Sequence, residues 1–275
     1  MNPLWCNGQW LALKDLPSLP LDRGLLHGLG LFETLLALDG KPVFPDRHLA
    51  RLAATCARLG WEFDFPDFRK TTVELLARNQ LAKNRARVRL AITAGSGPLA
   101  DLRLGDDRVI WMTAHSIEEP PESLAVCISP WRRNAHSPLA GLKCASYAEN
   151  LIALDHARKH GFGETLFFNT SGHLCEAAMA NVFFVKNGDL FTPPLHSGCL
   201  PGITREVVIE LAAERGIPCV QRDLTAPELQ AAEECFLTSS TRGIVAVSRL
   251  DQRKIPHGPV AKLLAQGWHE RAWNS

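Results

Sequence analysis

The sequence predicts an α/β protein of two unequal lobes with antiparallel strands in both. Three observations predict it. Asn-Gly turn signals occur in both halves, at Asn7-Gly8 and Asn187-Gly188, and apolar residues recur at strand spacing in some segments and at helix spacing in others. An acidic break containing two prolines, Glu118-Glu-Pro-Pro-Glu122, interrupts the chain, which at 275 residues exceeds a usual single domain.

The elements follow in order. Leu4-Trp-Cys6 and Gln9 to Leu13 flank Asn7-Gly8, whose residues accept the positive φ values of a tight two-residue hairpin. Pro45-Asp46 opens a helix in which Leu49, Leu52, Cys56 and Leu59 form one apolar face, with Arg51 off that stripe. Arg87 to Thr93 alternates like a half-buried strand, and Val109 to Met112 is a more buried one. In the acidic break the prolines remove donors and disfavour helix, which sets an N-terminal lobe at 1–118, a linker at 119–123 and a C-terminal lobe at 124–275. Beyond it, strands are expected at Leu124 to Ile128, Glu164 to Phe168, Asn181 to Val185 and Leu190 to Thr192, the last two flanking the Lys-Asn-Gly-Asp turn. Helices are expected from Ala148 to Lys159, stopped by Gly161, and from Ile203 to Arg215, ended by Gly216. Thr225-Ala-Pro-Glu228 matches a capping box. Internal repeats and low-complexity tracts are absent.

Composition narrows the function. A formal charge of +1 argues against broad electrostatic capture of nucleic acid or an anionic membrane, and 46% apolar with 21% charged residues is ordinary for a globular protein. A small-molecule partner is expected. The eight cysteines form no Cys-x-x-Cys pair and have no histidine at zinc spacing, so they read as reduced, mostly buried thiols and no metal is expected. The opening Met-Asn-Pro-Leu-Trp-Cys-Asn-Gly lacks a basic segment followed by an apolar core, and no apolar run reaches spanning length. A cytoplasmic location is therefore expected.

Three segments carry the chemistry. Lys143 ends Ser137-Pro-Leu-Ala-Gly-Leu-Lys143, Glu176 lies in Cys-Glu-Ala-Ala-Met-Ala-Asn-Val-Phe, and Leu200-Pro-Gly-Ile-Thr-Arg205 opens a helix. An amine, a carboxylate and a helix entrance are what holding pyridoxal phosphate requires: a Schiff base to the aldehyde, an acid for the pyridine nitrogen, and N–H groups for the phosphate. Singly, each has an ordinary reading as a solvated charge or a common helix start. Together with Asp22-Arg-Gly-Leu-Leu-His-Gly-Leu-Gly-Leu-Phe-Glu-Thr34 and His48-Leu-Ala-Arg-Leu52, they resemble the class IV aminotransferases, pyridoxal phosphate enzymes of fold type IV. The resemblance runs from the first hairpin to Thr238-Ser-Ser-Thr-Arg-Gly-Ile-Val245. It implies a smaller N-terminal α/β lobe and a larger, pseudo-barrel C-terminal lobe that binds the cofactor.

The resemblance also implies roles. Lys143 matches the Schiff-base lysine and Glu176 the acid paired with the pyridine nitrogen. Gly202, Ile203 and Thr204 match the phosphate-binding helix start, Arg51 a phosphate-binding arginine, Ser240 and Thr241 a second phosphate-side loop, and Leu200 a residue packed on the ring face. Tyr147, the only tyrosine, is read either as a contact to the ring's phenolic oxygen or as simple packing. For a substrate carboxylate, Arg103, Arg133 and Arg242 are candidates, each also readable as a surface charge. A homodimer is implied, with loops of one subunit closing the other's site.

Within the class, Pro138-Leu-Ala-Gly-Leu-Lys143, Gly28-Leu-Gly-Leu-Phe-Glu-Thr34 and Thr93-Ala-Gly-Ser-Gly97 look like 4-amino-4-deoxychorismate lyase, which forms 4-aminobenzoate and pyruvate for folate synthesis. Thr34 offers a hydroxyl able to orient the substrate ring. One departure is Ser146-Tyr-Ala-Glu-Asn150, where many such lyases carry Asn-Arg-Leu-Glu-Gln. The alternative is an amino-acid aminotransferase of the D-amino-acid or branched-chain type. Against these stand Phe32, where D-amino-acid enzymes have tyrosine, and Thr34, where branched-chain enzymes tend to have glycine. A non-catalytic vitamin-binding protein would need the phosphate cradle but not both Lys143 and Glu176.

Overall fold

The computed structural model describes residues 3–16, 20–62 and 67–275. The chain divides into two compact units. The first holds the described residues of Met1–Glu119 with Leu142–Tyr147 and Ser275, and the second holds Pro120–Gly141 and Ala148–Asn274.

The first unit is built on β1 (Leu4–Cys6), β2 (Gln9–Leu11), β3 (Gly30–Leu38), β4 (Lys41–Pro42), β5 (Ala86–Thr93) and β6 (Ile110–Ser116), with helices α1 (Arg23–His27), α2 (Pro45–Leu59) and α3 (Phe68–Arg78). The sheet order is β2-β1-β6-β5-β3-β4 with every neighbour antiparallel. Asn7 and Gly8 turn β1 into β2 at φ 43° and 85°, the left-handed values the dipeptide was expected to supply. Ala86, Val88, Leu90 and Ile92 of β5 are buried, and Leu52 and Cys56 of α2 and Leu75 and Leu76 of α3 share their core cluster. Each fully buried Val, Leu or Ile contributes roughly 1.5–3 kcal/mol, so this cluster fixes which face of the sheet meets the helices. Arg87 and Arg89 alternate to the opposite face.

Leu142–Tyr147, placed by the sequence in the C-terminal lobe, packs in the first unit because it extends the edge of β3. Phe32 N–H donates to the Lys143 carbonyl at 3.0 Å, Ala145 N–H donates to the Gly30 carbonyl at 2.7 Å, and Leu31 and Cys144 form an isolated antiparallel bridge.

The second unit holds β7 (Ser123–Arg133), β8 (Glu164–Asn169), β9 (Leu174–Ala177), β10 (Asn181–Lys186), β11 (Asp189–Thr192), β12 (Cys219–Gln221), β13 (Glu234–Ser239), β14 (Gly243–Leu250) and β15 (Arg253–Lys254). Its helices are α4 (Ala148–Lys159), α5 (Ile203–Glu214), α6 (Ala226–Gln230) and α7 (Pro259–Trp273). The order is β12-β11-β10-β13-β14-β7-β8-β9, with β15 on β14. The pairs β7/β8 and β11/β12 are parallel, so each needs a long crossover. Those crossovers contain α4 and α5, and the two motifs singled out by the sequence, Lys143 and Leu200–Thr204, lie in them. Thr225 and Glu228 form the expected capping box on α6. Among the described residues, no helix is long and apolar enough to cross a membrane.

Candidate functional site

Held on the edge of β3, Lys143 places its Nζ 4.5 Å from the centre of the Phe32 ring and 5.7 Å from that of Tyr147. The two rings meet edge to face at 5.4 Å. Register explains the contact: Phe32 bonds to the lysine's own carbonyl, so its ring and the amine emerge side by side.

On the other face of β3, Glu33 is 1% exposed and is bonded by His48 Nδ1 at 2.7 Å, Arg51 Nε at 2.9 Å and Arg51 Nη2 at 2.6 Å. Burial raises the Glu33 carboxyl, but the Arg51 charge and the bonds from His48 and Arg51 outweigh it and leave the pKa at about 2. Burial pushes His48 down against the pull of Glu33, which leaves a neutral ring donating to the carboxylate. Arg51, expected to bind phosphate, thus devotes its Nε and Nη2 edge to Glu33.

In the second unit, Glu176 sits on β9 opposite Phe167 of β8. Its Oε2 accepts from Leu200 N–H at 2.9 Å, and its Oε1 lies 3.7 Å from Arg133 Nη2. Leu200 therefore meets Glu176 through its backbone. The neighbouring Cys175 and Cys199 thiols are pushed up, Cys199 to about 11, by burial and then by the Glu176 charge, so neither is a thiolate nucleophile at neutral pH.

Gly202 is the N-cap of α5, and no side chain caps the helix start. A Cβ on Gly202 would stand 2.0 Å from Asn181 Oδ1, and Asn181 Nδ2 in turn donates to the Leu200 carbonyl at 2.9 Å. A larger residue there would have to displace the Asn181 amide. Thr204, 2% exposed, has a buried hydroxyl without a hydrogen-bond partner, as do Thr238 and Ser239 at the end of β13. Ser240 and Thr241 follow in the turn to β14. An uncapped helix start and buried hydroxyls lacking acceptors suit an anionic group.

A family model, amino-transferase class IV, matches residues 30–250. The chain belongs to this family. It is 31% identical over 269 residues to a Methanocaldococcus jannaschii protein provisionally named a branched-chain-amino-acid aminotransferase, covering 94% of this chain and 92% of that protein. It is 28% identical over 256 residues to the aminodeoxychorismate lyase of Bacillus subtilis, covering 90% and 87%. A Legionella pneumophila crystal structure provisionally named 4-amino-4-deoxychorismate lyase is similar at a TM-score of 0.88 and 28% identity, covering 94% of this chain and 97% of that one. Class IV aminotransferases use pyridoxal phosphate, and this chain is an enzyme of that class.

For a class IV enzyme the donors at Gly202–Thr204 fit the cofactor's phosphate, and Glu176, anchored by Leu200, is an acceptor that fits a protonated ring nitrogen. The three arginines suggested for a substrate carboxylate are otherwise engaged. Arg103 is an exposed partner of Asp101, Arg242 donates to the fully buried Glu164 at 2.9 Å, and Arg133 is held by Glu149 and Asn150. Arg89 was missed. Its guanidinium lies 4.0 Å from the Phe32 ring centre, the ring that Lys143 also touches, and on β5 it is the Cα partner of Thr34. Burial, then Arg87, lowers its pKa, with Tyr147 opposing. The Arg-x-Arg alternation of β5 was the available signal, since it puts both cations on the sheet face away from the helices.

Proposed function

We propose that this class IV enzyme is a 4-amino-4-deoxychorismate lyase releasing 4-aminobenzoate and pyruvate. The observation that carries the reading is the group Lys143, Phe32, Arg89 and Thr34. An amine and a guanidinium share one aromatic ring, and Thr34 is the arginine's cross-strand partner in the register. The substrate of such a lyase carries an amine and a carboxylate on its ring and a second carboxylate on the enolpyruvyl group, and a fixed cation beside the lysine offers one carboxylate a partner. Phe32 has no phenol, so the hydroxyl with which D-amino-acid enzymes hold a carboxylate is lacking at this position. Similarity to the Bacillus subtilis lyase supports the same reading.

When bound, pyridoxal phosphate supplies an aldehyde for the substrate amine and a ring that takes up the electron pair released at the amine-bearing carbon. Lys143 Nζ would hold the cofactor in the resting enzyme and, when free, would take the proton from that carbon. Glu176 would keep the ring nitrogen protonated, and Gly202, Ile203 and Thr204 would hold the phosphate, with Ser240 and Thr241 beside them; Arg51, bonded to Glu33, is assigned to the phosphate by the family resemblance alone. Arg89 orients the substrate so that the bond to the enolpyruvyl oxygen aligns for cleavage. The C–O bond between the ring and the enolpyruvyl oxygen would break with its electron pair leaving on the oxygen, and the departing enolpyruvate would take up the proton held by Lys143 and leave as pyruvate while the ring becomes aromatic.

Amino-acid transamination is the second reading, favoured by the 31% identity to the Methanocaldococcus jannaschii protein. The two separate when aminodeoxychorismate and a panel of D- and L-amino acids with 2-oxoglutarate or pyruvate are supplied under matched conditions. The lyase reading expects 4-aminobenzoate and pyruvate to form faster than any keto acid. Equal or faster transamination with little 4-aminobenzoate would replace it with the second. A homodimer in the cytoplasm, serving folate synthesis, completes the proposal.

A further inference from the structure

Arg133 ends β7 in a position the proposed chemistry does not use. Its guanidinium carbon lies 4.3 Å from the centre of the Phe167 ring, and Phe167 is the cross-strand partner of Glu176. Glu149 takes Nη1 in an ion pair, and Asn150 Oδ1 accepts from the same nitrogen at 3.3 Å. Asn150 Nδ2 also donates to the carbonyl of Ala178, two residues past Glu176, at 2.6 Å. The start of α4 therefore grips both the arginine and the strand end that carries the acid. Arg133 Nε and Nη2 are buried and make no hydrogen bond, while Nη2 faces Glu176 Oε1 at 3.7 Å. A buried charged donor without an acceptor is costly, and Glu176 is the carboxylate this one faces.

We propose that Arg133 is a positioning residue for Glu176, fixing Oε1 while Leu200 N–H fixes Oε2, and that it is not the ligand of a substrate carboxylate. This role presupposes Glu176 as the cofactor's acid. Arg133 stands between two carboxylates, Glu149 and Glu176, so its removal would take from each the guanidinium it faces. The Cys175 and Cys199 thiols beside Glu176 have raised pKa values and do not replace that charge.

The test is a double-mutant cycle on the holoenzyme with R133Q, E176Q and R133Q/E176Q, alongside R133K, reading the rate of cofactor loss, kcat and KM. Arg133→Gln should speed cofactor loss and lower kcat by roughly tenfold or more with KM within about twofold, and add less than about twofold to Glu176→Gln. Arg133→Lys, which keeps the charge without the fork, should fall between wild type and R133Q in both readouts, and it tests the idea if R133Q does not fold. A KM raised about tenfold or more at unchanged kcat would make Arg133 a substrate ligand and overturn the proposal, as would an undiminished effect in the E176Q background. If E176Q alone changes neither cofactor loss nor kcat, the reading of Glu176 fails first and this role with it. If E176Q has its effect and R133Q has none, only the role of Arg133 fails.

Discussion

Glu33 and Arg51 share two hydrogen bonds, Nε to Oε1 at 2.9 Å and Nη2 to Oε2 at 2.6 Å, where β3 meets α2. The carboxyl is lowered from 4.5 to about 2 in the fold, so its stabilisation is present above the unfolded value and is lost as pH falls from about 4.5 towards 2. That drop corresponds to about 3 kcal/mol of stability at neutral pH. Glu33→Gln should lower the urea-unfolding free energy by a similar amount at pH 7, with the gap to wild type closing as the buffer is taken from pH 5 to 3. Parallel curves across that range would show that the ion pair does not set stability.

Gly202→Ala puts a methyl 2.0 Å from Asn181 Oδ1 and so disturbs the amide that holds the Leu200 carbonyl. The expected result is a folded protein with cofactor affinity down by about tenfold or more, equivalent to about 1.4 kcal/mol, read by titrating the apo form. Affinity equal to wild type would separate the start of α5 from phosphate binding.

Much of the fold was legible where local chemistry and tertiary structure agree. Asn7-Gly8, the Pro45 helix start, the Gly161 and Gly216 stops and the Thr225–Glu228 box each act within a few residues, and each stands where expected. The short helix α1 was not legible, because its start depends on Asp22 accepting from Gly24 N–H rather than on an apolar stripe. Nor was α7, whose Leu264 and Trp268 are buried by elements distant in sequence. Leu142–Tyr147 packs with the first unit for the same reason: the bonds to Gly30 and Phe32 that hold it span more than a hundred residues. The site showed the same division. Lys143, Glu176 and Gly202 stand out by motif, whereas Arg89 emerges only when β5 and β3 are paired and Phe32 is seen between two cations.

If Arg89 meets a substrate carboxylate, Arg89→Ala should raise KM for aminodeoxychorismate by about 10- to 100-fold, the loss of about 1.5–3 kcal/mol expected for a charge-assisted bond. Cofactor content should not change. Steady-state kinetics would decide it, and an unaltered KM would return Arg89 to the role of a surface cation packed on Phe32.

Glu176→Gln removes the charge that favours a protonated ring nitrogen while keeping an acceptor for Leu200 N–H. If that pairing accounts for about 3 kcal/mol of the barrier, turnover should fall by roughly two orders of magnitude with the cofactor still bound. Full occupancy with unchanged turnover would place Glu176 outside the chemistry.

The most direct test of the whole account is to reduce the purified holoenzyme with borohydride and locate the cofactor by peptide mass mapping. The account predicts one phosphopyridoxyl group on Lys143, the lysine that β3 holds beside Phe32. It also predicts that Lys143→Ala folds, binds the cofactor reversibly and yields no fixed adduct. A wild-type adduct on any other lysine would contradict it.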